Sequence, residues 1–473
     1  MPVPRCPRYL LRLTAVPLWP WCLAFVLMCV AVWHDGGRNA ASRFAMLRAM
    51  STHCTFQINR YLDWTADWAR TPDGRCYSNK APGAALVAFP ATWLADRVLF
   101  AWNPELRRTE PPLGYKTAVS VLFQVLPFSL AVLLAGQALC RRGASHAALA
   151  FAGLSMLFAN TASLFMNSYF GHGLTAWLLL GLALALIADR PALVGAFFGF
   201  ALLSDYAVGM LTLPLLVGFF ARRETWSQRW RRSLYLTAGA AAPAALWVWY
   251  HTVCFGGPFT IALVYQNPVF QSEGVARGGL QAVWSVKPHW DVLWQLLFGA
   301  SRGLLATQPW ALVVYALLAL QVLRRHAAHL PASLTILTLT GLPLLLWSNA
   351  GFSGWHGGWS AGPRYLSPIL PLLGFCGALL YDRLGAWPRL LLWLSLIPAV
   401  VLRVLIYAGP SPYMRGLSPI WETYWQYLVL DPQRVGAARV AFLVGLLLLA
   451  AWQANRLRLR DEPPAPLSPT EHP

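Results

Sequence analysis

The residues best suited to chemistry lie in one polar segment, residues 35–83, of an otherwise apolar chain. A carboxylate in such a segment can act as a general base toward a hydroxyl group. A lysine or arginine at a membrane surface can hold a phosphate that is both an anchor and a leaving group. The segment therefore indicates group transfer from a lipid phosphate. Its acids are Asp35, Asp63, Asp67 and Asp73, and it ends with Tyr77-Ser78-Asn79-Lys80-Ala81-Pro82-Gly83.

The composition predicts the kind of scaffold that must position these residues. Hydrophobic residues make up 57% of the 473 residues and charged residues only 12%, about half the charge of a soluble protein. The apolar runs reach the length of a membrane-crossing helix and lack the alternation of barrel strands. The net charge of +19 comes from short arginine clusters between these runs, which is the positive-inside pattern and not a nucleic-acid footprint. We expect an all-α transmembrane bundle of about ten to twelve membrane helices.

The apolar runs and the arginine clusters together predict a topology. A stretch between Arg190 and Arg222 is too long for one span and is interrupted by polar residues at its middle, so we expect a helical hairpin that turns at Asp205. The clusters place both termini in the cytoplasm and leave a large first loop, residues 35–116, outside. Full spans are expected at residues 14–33, 117–140, 147–166, 173–188, 234–254, 303–323, 331–347, 365–380, 390–407 and 437–452.

Three further segments complete the expected domain organisation. Residues 84–100 are apolar but are broken by Asp96 and Arg97, and we expect them to form a helix at the membrane interface. Residues 1–460 form one transmembrane domain, and the Pro-rich, polar residues 461–473 form a disordered cytoplasmic tail. Cys54 and Cys76 share the first outer loop, where they either form a disulfide or stay free thiols.

The outer side of this topology collects polar residues from distant parts of the chain. The second outer turn contributes residues 167–172, and the fourth contributes a Gly-rich stretch, residues 354–365. No nucleophile elbow, HExxH, Walker or dinucleotide motif occurs, and the eight cysteines show no metal-ligand spacing. An active site, if present, should therefore face outward and use carboxylates and cations.

Four stretches of the sequence, in order along the chain, resemble one group of enzymes. They are residues 42–50, the loop of residues 73–83 with its Tyr-x-x-Lys-x-Pro pattern, Tyr169-Phe170-Gly171-His172, and residues 355–365 with Trp-x-Gly-Gly followed by Gly-Pro-Arg-Tyr. Together they resemble the polytopic glycosyltransferases of the C-type (GT-C) fold that depend on lipid phosphates. That group includes the protein O-mannosyltransferases and the lipid A aminoarabinose transferases.

The resemblance implies transfer of a sugar from a polyprenyl-phosphate donor to an extracytoplasmic glycolipid, cell-envelope glycan or protein. It assigns the donor phosphate to Lys80, with Arg364 and Arg43 as further candidates. It implies no certain cofactor; relatives differ in their need for a divalent cation, and we identify no metal ligands. The residues expected to line the substrate pocket are Tyr77, Asn79, His172, Trp355 and Trp359.

One departure from the group concerns the catalytic acid. Relatives place an Asp, often Asp-Glu, about three residues before the arginine that matches Arg43, whereas this chain has Asn39-Ala40-Ala41-Ser42. We expect another carboxylate of the same loop to replace it. Asp67 is the preferred candidate, followed by Asp63 and then Asp35.

We therefore expect a multi-pass enzyme of the bacterial inner membrane, with cytoplasmic termini and an active site that faces the periplasm. Its partners would be the lipid donor, membrane lipids and a glycan, glycolipid or protein acceptor, without nucleic acid. A glycan polymerase or ligase with a lipid-pyrophosphate donor is one alternative. A lipid-linked glycan transporter or flippase is another, but it should show inverted repeats and paired ionisable residues near the midplane, where Asp205 is almost alone.

Overall fold

A computed structural model describes residues 18–32, 36–222, 224–270, 284–324, 330–358, 360–409, 417–430 and 437–461. The predicted all-α class is confirmed, because helices dominate and the described residues form only one two-stranded sheet. Asp35, Trp359 and the tail beyond Asp461 lie outside the described residues.

The helices follow one another closely along the chain. The first ten are α1 Trp19–Ala31, α2 Gly37–His53, α3 Gly83–Trp102, α4 Leu113–Ser120, α5 Leu126–Cys140, α6 His146–Gly153, α7 Ala162–Asn167, α8 Gly171–Ile187, α9 Pro191–Ser204 and α10 Thr212–Phe220. They are followed by α11 Trp226–Phe255, α12 Trp290–Phe298, α13 Leu304–Thr307, α14 Pro309–Leu323, α15 Ala332–Ala350, α16 Leu370–Tyr381, α17 Ala386–Ala408, α18 Ile420–Leu430 and α19 Ala437–Asp461. The strands are β1 Trp68–Arg70 and β2 Cys76–Ser78.

The chain is a multi-pass membrane protein by the length and composition of its helices. The segments long and apolar enough to cross a membrane are Gly83–Trp102, Leu113–Cys140, Ala332–Ala350, Arg364–Tyr381 and Ala386–Ala408. Shorter apolar helices pack between them, and the central one, α8, is buried along almost its whole length against α5, α7, α9 and α16. The core of the bundle therefore surrounds α8.

The expected hairpin between Arg190 and Arg222 is present. Helix α9 ends at Ser204, and after Asp205 the chain returns through a 3-10 turn into α10. The two ends of the hairpin meet, because Arg222 Nη1 lies 2.6 Å from Asp189 Oδ1. Asp205 therefore lies at the opposite end of the bundle from this ion pair.

Two predicted spans are not single helices. Residues 147–166 break after Phe158, where the Asn160 amide donates to the Ser155 carbonyl oxygen at 3.0 Å and so replaces helical backbone bonding. Residues 303–323 break at Gln308, because Pro309 disfavours a helical conformation in the residue before it. The two breaks touch through a hydrogen bond from the Gln308 amide to the Thr161 hydroxyl at 3.1 Å.

Helix α3 covers the segment that we expect at the membrane interface. It buries Asp96, which pairs with Arg48 at 3.1 Å, and it exposes large apolar side chains on its other face. Its length and composition would also suit a span. A crossing here would move the downstream arginine clusters to the outer side, so the interfacial position stays our prediction. The two cysteines of this loop, Cys54 and Cys76, are free thiols, the first exposed and the second buried.

Candidate active site

A short β-hairpin brings Asp67 to Lys80. Strands β1 and β2 pair antiparallel with Trp68 opposite Ser78, and the backbone N–H of Asn79 donates to the Asp67 carbonyl oxygen at 3.3 Å. This register places the two side chains beside each other at the open end of the hairpin. Lys80 Nζ lies 3.2 Å from Asp67 Oδ1, and both side chains are largely buried.

Neighbouring elements fix the backbone around Asp67. The Ser42 hydroxyl of α2 donates to the Asp67 carbonyl oxygen at 2.6 Å. Asn267 binds the residues on either side of Asp67. Its side-chain amide donates to the Ala66 carbonyl oxygen at 2.9 Å, and its backbone N–H donates to the Trp68 carbonyl oxygen at 2.9 Å. Two segments that are distant in sequence therefore fix the backbone from which the Asp67 side chain extends.

Helix α2 also carries Arg43 into the site. Its guanidinium donates from Nη1 to the Asn39 side chain and to the Asn39 carbonyl oxygen, the latter at 3.1 Å. The side chain is buried, and its Nε–H has no hydrogen-bond partner among the described residues. A buried donor without an acceptor is costly, so this group is suited to binding an anion.

The Tyr169-Phe170-Gly171-His172 turn joins three elements of the site. Tyr169 stacks on Phe44 of α2 with ring centroids 4.9 Å apart, and its hydroxyl donates to the Ala84 carbonyl of α3 at 2.8 Å. Gly171 lets α8 approach the end of α9, since a Cβ at this position would lie 2.4 Å from the Ser204 carbonyl oxygen. The starts of α3 and α8 and the end of α9 therefore meet at one point.

The ring of Phe170 lies between two arginines. The guanidinium carbon of Arg43 is 5.8 Å from the ring centroid, and that of Arg364 is 5.6 Å away. Arg364 also donates from Nη2 to the Tyr365 hydroxyl at 2.8 Å, and its buried Nε–H has no partner among the described residues. The turn thus brings together cations that are 321 positions apart in the sequence.

His172 and Asp205 form a second ionisable pair beside this cluster. His172 Nδ1 lies 2.6 Å from Asp205 Oδ2, and both side chains are nearly buried. The other oxygen, Oδ1, accepts the backbone N–H of Ala207 at 3.2 Å. Asp205 therefore both satisfies a freed backbone donor at the hairpin turn and contacts a residue of the predicted pocket.

Arg302 shapes the Gly-rich segment that precedes Arg364. Its guanidinium donates from Nε to the His356 carbonyl at 3.0 Å and from Nη2 to the Gly358 carbonyl at 3.1 Å. Gly357 and Gly358 have φ values of 69° and 67°, a region that favours glycine. The bonds to Arg302 hold this turn in the conformation that leads into Arg364.

The surroundings of Lys80 lower its pKa well below the ordinary value of a lysine. Burial lowers the pKa of Lys80, Asp67 opposes this shift, and the positive charges of Arg364 and Arg43 add to it, so that the pKa is about 8. Burial also lowers the pKa of Arg43 to about 10, and the carboxylate of Asp67 is the largest opposing influence. Lys80 also stands just before the N-terminus of α3, whose partial positive charge favours anions. These cations therefore outnumber the nearby carboxylates, and an anion would relieve their repulsion.

Comparison with solved structures supports the predicted fold. Over 94% of its length the chain is similar to ArnT from Cupriavidus metallidurans bound to undecaprenyl phosphate, with 19% identity, a TM-score of 0.50 and 74% of that chain covered. The chain has the GT-C fold. The same ArnT in the apo state (17% identity, TM-score 0.46, 94% and 74% covered) and the archaeal oligosaccharyltransferase AglB from Archaeoglobus fulgidus (10%, 0.46, 92% and 60%) are also similar. No family model and no curated protein matches the sequence.

The other predicted site residues of this GT-C chain differ from one another in burial and in their contacts. Asn79 is buried, and its side-chain oxygen lacks a hydrogen-bond partner among the described residues. Tyr77 packs on Phe255 with ring centroids 5.5 Å apart, which indicates a structural role. Asp63 is exposed, and no ion pair joins it to Lys80 in the part of the chain that the structure describes. Trp355 is half-buried on the Gly-rich turn.

The sequence reasoning missed how close Asp205 comes to the site. The sequence predicted only that the hairpin turns at Asp205, whereas the structure also places this residue against His172 and close enough to raise the pKa of Arg43. No sequence pattern indicated this contact. It depends on the close approach of α8 to the end of α9 at Gly171, which only the packing of the two helices shows.

The residues of this GT-C site do not fit a divalent-cation centre. Within the described ranges, no group of three or more His, Cys, Asp or Glu side chains could hold a metal ion. Asp67 is engaged by Lys80, and Asp205 is engaged by His172. Cations of the protein itself are the groups available to a phosphate.

Proposed function

We propose that this protein is a membrane glycosyltransferase that moves a sugar from a polyprenyl-phosphate donor to an extracytoplasmic acceptor. The observation that carries the proposal is the convergence of Lys80, Arg43 and Arg364 beside Asp67, with buried guanidinium Nε–H groups that lack acceptors among the described residues. The GT-C fold agrees with it, since the similar ArnT structure is bound to undecaprenyl phosphate.

In the proposed complex, the donor phosphate replaces Asp67 as the partner of Lys80. Lys80 would turn to the phosphate, and Arg364 and Arg43 would supply the Nε–H groups for which the described part of the chain offers no acceptor. Charge-assisted bonds of this kind are strong in a water-poor site. The exchange would also release the Asp67 carboxylate for the acceptor.

The chemical step is a single displacement at the anomeric carbon. The acceptor hydroxyl oxygen forms a bond to that carbon, the bond from the carbon to the donor phosphate oxygen breaks, and the acceptor proton passes to Asp67. The phosphate gains one negative charge as it leaves, so the cations stabilise the transition state more than the bound donor. The displacement inverts the anomeric centre.

The same arrangement supports a place for the protein in the bacterial inner membrane. The ion pair between Arg222 and Asp189 and the clusters around Arg141 lie at the end of the bundle remote from Lys80. By the positive-inside rule that end and both termini would be cytoplasmic, and the site would face the periplasm. Residues 1–460 would act as one unit, with membrane lipids, the lipid donor and a glycan, glycolipid or protein acceptor as partners.

A lipid-pyrophosphate donor is the second candidate, and the excess positive charge of the cluster is compatible with it. Arg43, Lys80 and Arg364 outnumber the carboxylates of Asp67 and Asp205 by one charge, and a diphosphate would neutralise this excess as well as a monophosphate. The transporter alternative would need paired ionisable residues near the midplane and inverted repeats. Asp205 does pair with His172, but the pair lies beside the proposed phosphate site.

The test measures both binding and transfer. Purified protein in nanodiscs should bind polyprenyl phosphate, and Lys80→Ala should weaken that binding by about thirtyfold or more, because truncating one partner of a buried charged contact costs at least about 2 kcal/mol. Asp67→Asn and Lys80→Ala should each abolish transfer without loss of expression. Asp73→Asn, an exposed acid at the tip of the same hairpin, is the matched control.

Glycolipids and glycans from cells with and without the protein, compared by mass spectrometry, would identify the sugar and the acceptor. Tighter binding of polyprenyl pyrophosphate than of the monophosphate would favour the polymerase or ligase. Full transfer by both the Asp67 and the Lys80 variants would refute the site. Chelation of divalent cations should leave transfer unchanged.

A further inference from the structure

A cavity that is separate from the candidate active site lies between α5, α8 and α9. It encloses about 620 Å³ and is walled mainly by apolar side chains, and its polar end is formed by Gln137, Arg141, Arg142 and Arg190. Helix α8 extends about 24 Å from His172, beside the candidate active site, to Ala188 at the polar end of the cavity. The two sites are therefore at opposite membrane surfaces.

The arginines at this cavity have no acidic partners within the described ranges. Arg141, Arg142 and Arg190 are exposed, and no ion pair involves them among the residues that the structure describes. The adjacent acid, Asp189, is already bound by Arg222 at 2.6 Å and Arg232 at 3.4 Å. The polar end thus carries three uncompensated positive charges.

A second nearby acid does not neutralise these arginines either. Asp382 accepts the backbone N–H of Ser145 at 2.7 Å and also the Ser145 hydroxyl, so it stabilises the start of α6. An exogenous anion is therefore the natural partner of the three arginines.

The shape of the cavity matches one leaflet of a bilayer. Along α5 it extends from Arg141 to Pro127, a distance of about 21 Å. One leaflet has about 15 Å of hydrocarbon plus its headgroup layer. With the arginines at headgroup level, Leu130 and Leu134, which are exposed at 48% and 39%, would line the acyl-chain region together with Trp177.

We propose that this cavity binds an anionic glycerophospholipid of the adjacent leaflet. The lipid phosphate would lie among the three arginines, and one acyl chain would fill the apolar groove between α5, α8 and α9. A zwitterionic phospholipid offers the same chain but adds a cationic group, so it should bind more weakly. The site is independent of the proposed sugar transfer and would be present in an inactive protein.

The test is lipid retention by the purified full-length protein, measured by native mass spectrometry. Wild-type protein should retain phosphatidylglycerol over phosphatidylcholine by about tenfold or more, because each arginine near a membrane surface contributes measurably to anion binding. A triple variant with glutamine at Arg141, Arg142 and Arg190 should lose this preference, and a triple lysine variant should keep it. Arg231→Gln, which removes an exposed charge from α11, is the matched control.

A second variant tests the groove without changing the charge. Leu134→Trp should fill the acyl-chain region and lower the retention of phosphatidylglycerol while the arginines remain. Size-exclusion chromatography and thermal unfolding would show whether the glutamine variant folds. If it does not fold, Leu134→Trp still tests whether the cavity binds the lipid. Equal retention of the two lipids by wild-type protein, unchanged retention in the variants, or displacement of phosphatidylglycerol by polyprenyl phosphate would each overturn the proposal.

Discussion

Binding of the donor phosphate is expected to weaken as the pH rises through about 8. Burial and the charges of Arg364 and Arg43 lower the pKa of Lys80 to about 8, and only protonated Lys80 can attract the phosphate. Above this pH the protonated fraction falls about tenfold per unit. The dissociation constant should therefore rise about tenfold per pH unit between about 8 and the higher pKa that Lys80 has in the complex.

Two variants move this dependence in opposite directions. Lys80→Arg places a much more basic group at this position, so its charge should persist from about pH 7 to 9.5 and its affinity should stay flat across that range. Asp67→Asn removes the carboxylate that raises the pKa of Lys80. The affinity of that variant should therefore begin to fall below pH 8, although its amide keeps the shape of the site.

The assay is calorimetric titration of nanodisc-embedded protein with a short-chain polyprenyl phosphate from pH 7 to 9.5. The ligand charge is nearly constant in this range, because the second pKa of a phosphate monoester is about 6. Runs in two buffers of different ionisation enthalpy should show proton uptake on binding near pH 8.5. A wild-type affinity that is flat over this range, or a Lys80→Arg profile with the same slope, would refute the reasoning.

Three further predictions concern the supports of the site. Arg48→Ala should lower the free energy of unfolding by about 3 kcal/mol, measured by thermal unfolding, because Asp96 would lose its buried partner. Gly171→Ala should reduce both stability and phosphate binding, since a Cβ there would lie 2.4 Å from a carbonyl oxygen, whereas Gly114→Ala, in open space, should change neither. Asp205→Asn should bind phosphate a few times more tightly, because it removes a negative charge near the arginines, and calorimetry would measure the gain.

The all-α, multi-pass architecture was predictable because hydropathy is a property of local sequence. The hairpin at Asp205 followed from two basic flanks around one polar interruption, and the contact of Arg222 with Asp189 closes it as expected. The helix breaks at Asn160 and Gln308 did not follow, because they depend on side-chain bonds and on packing between distant segments.

The site was only partly predictable from the sequence. The chemistry of the loop and the family resemblance together selected Lys80 and Asp67, and the structure joins them, but no pattern indicated the β-hairpin that does so. Its strands have three residues each, which is too short for a recognisable alternation. Asp63 has the same residue type and lies four positions away, yet it is exposed because it precedes the paired strands. Proximity in sequence therefore could not rank the acids.

The position of Asn39 explains why the acids of this site come from other segments. Asn39 accepts a hydrogen bond from Arg43 through its neutral side chain, in the region where relatives carry a carboxylate. A carboxylate there would neutralise Arg43, whereas an amide leaves its charge to act on the ligand. The negative charge is supplied instead by Asp67 from the β-hairpin and by Asp205 from the helical hairpin, both of which raise the pKa of Arg43. The negative charge near Arg43 is thus supplied by tertiary structure, because helix α2 itself has no acidic residue.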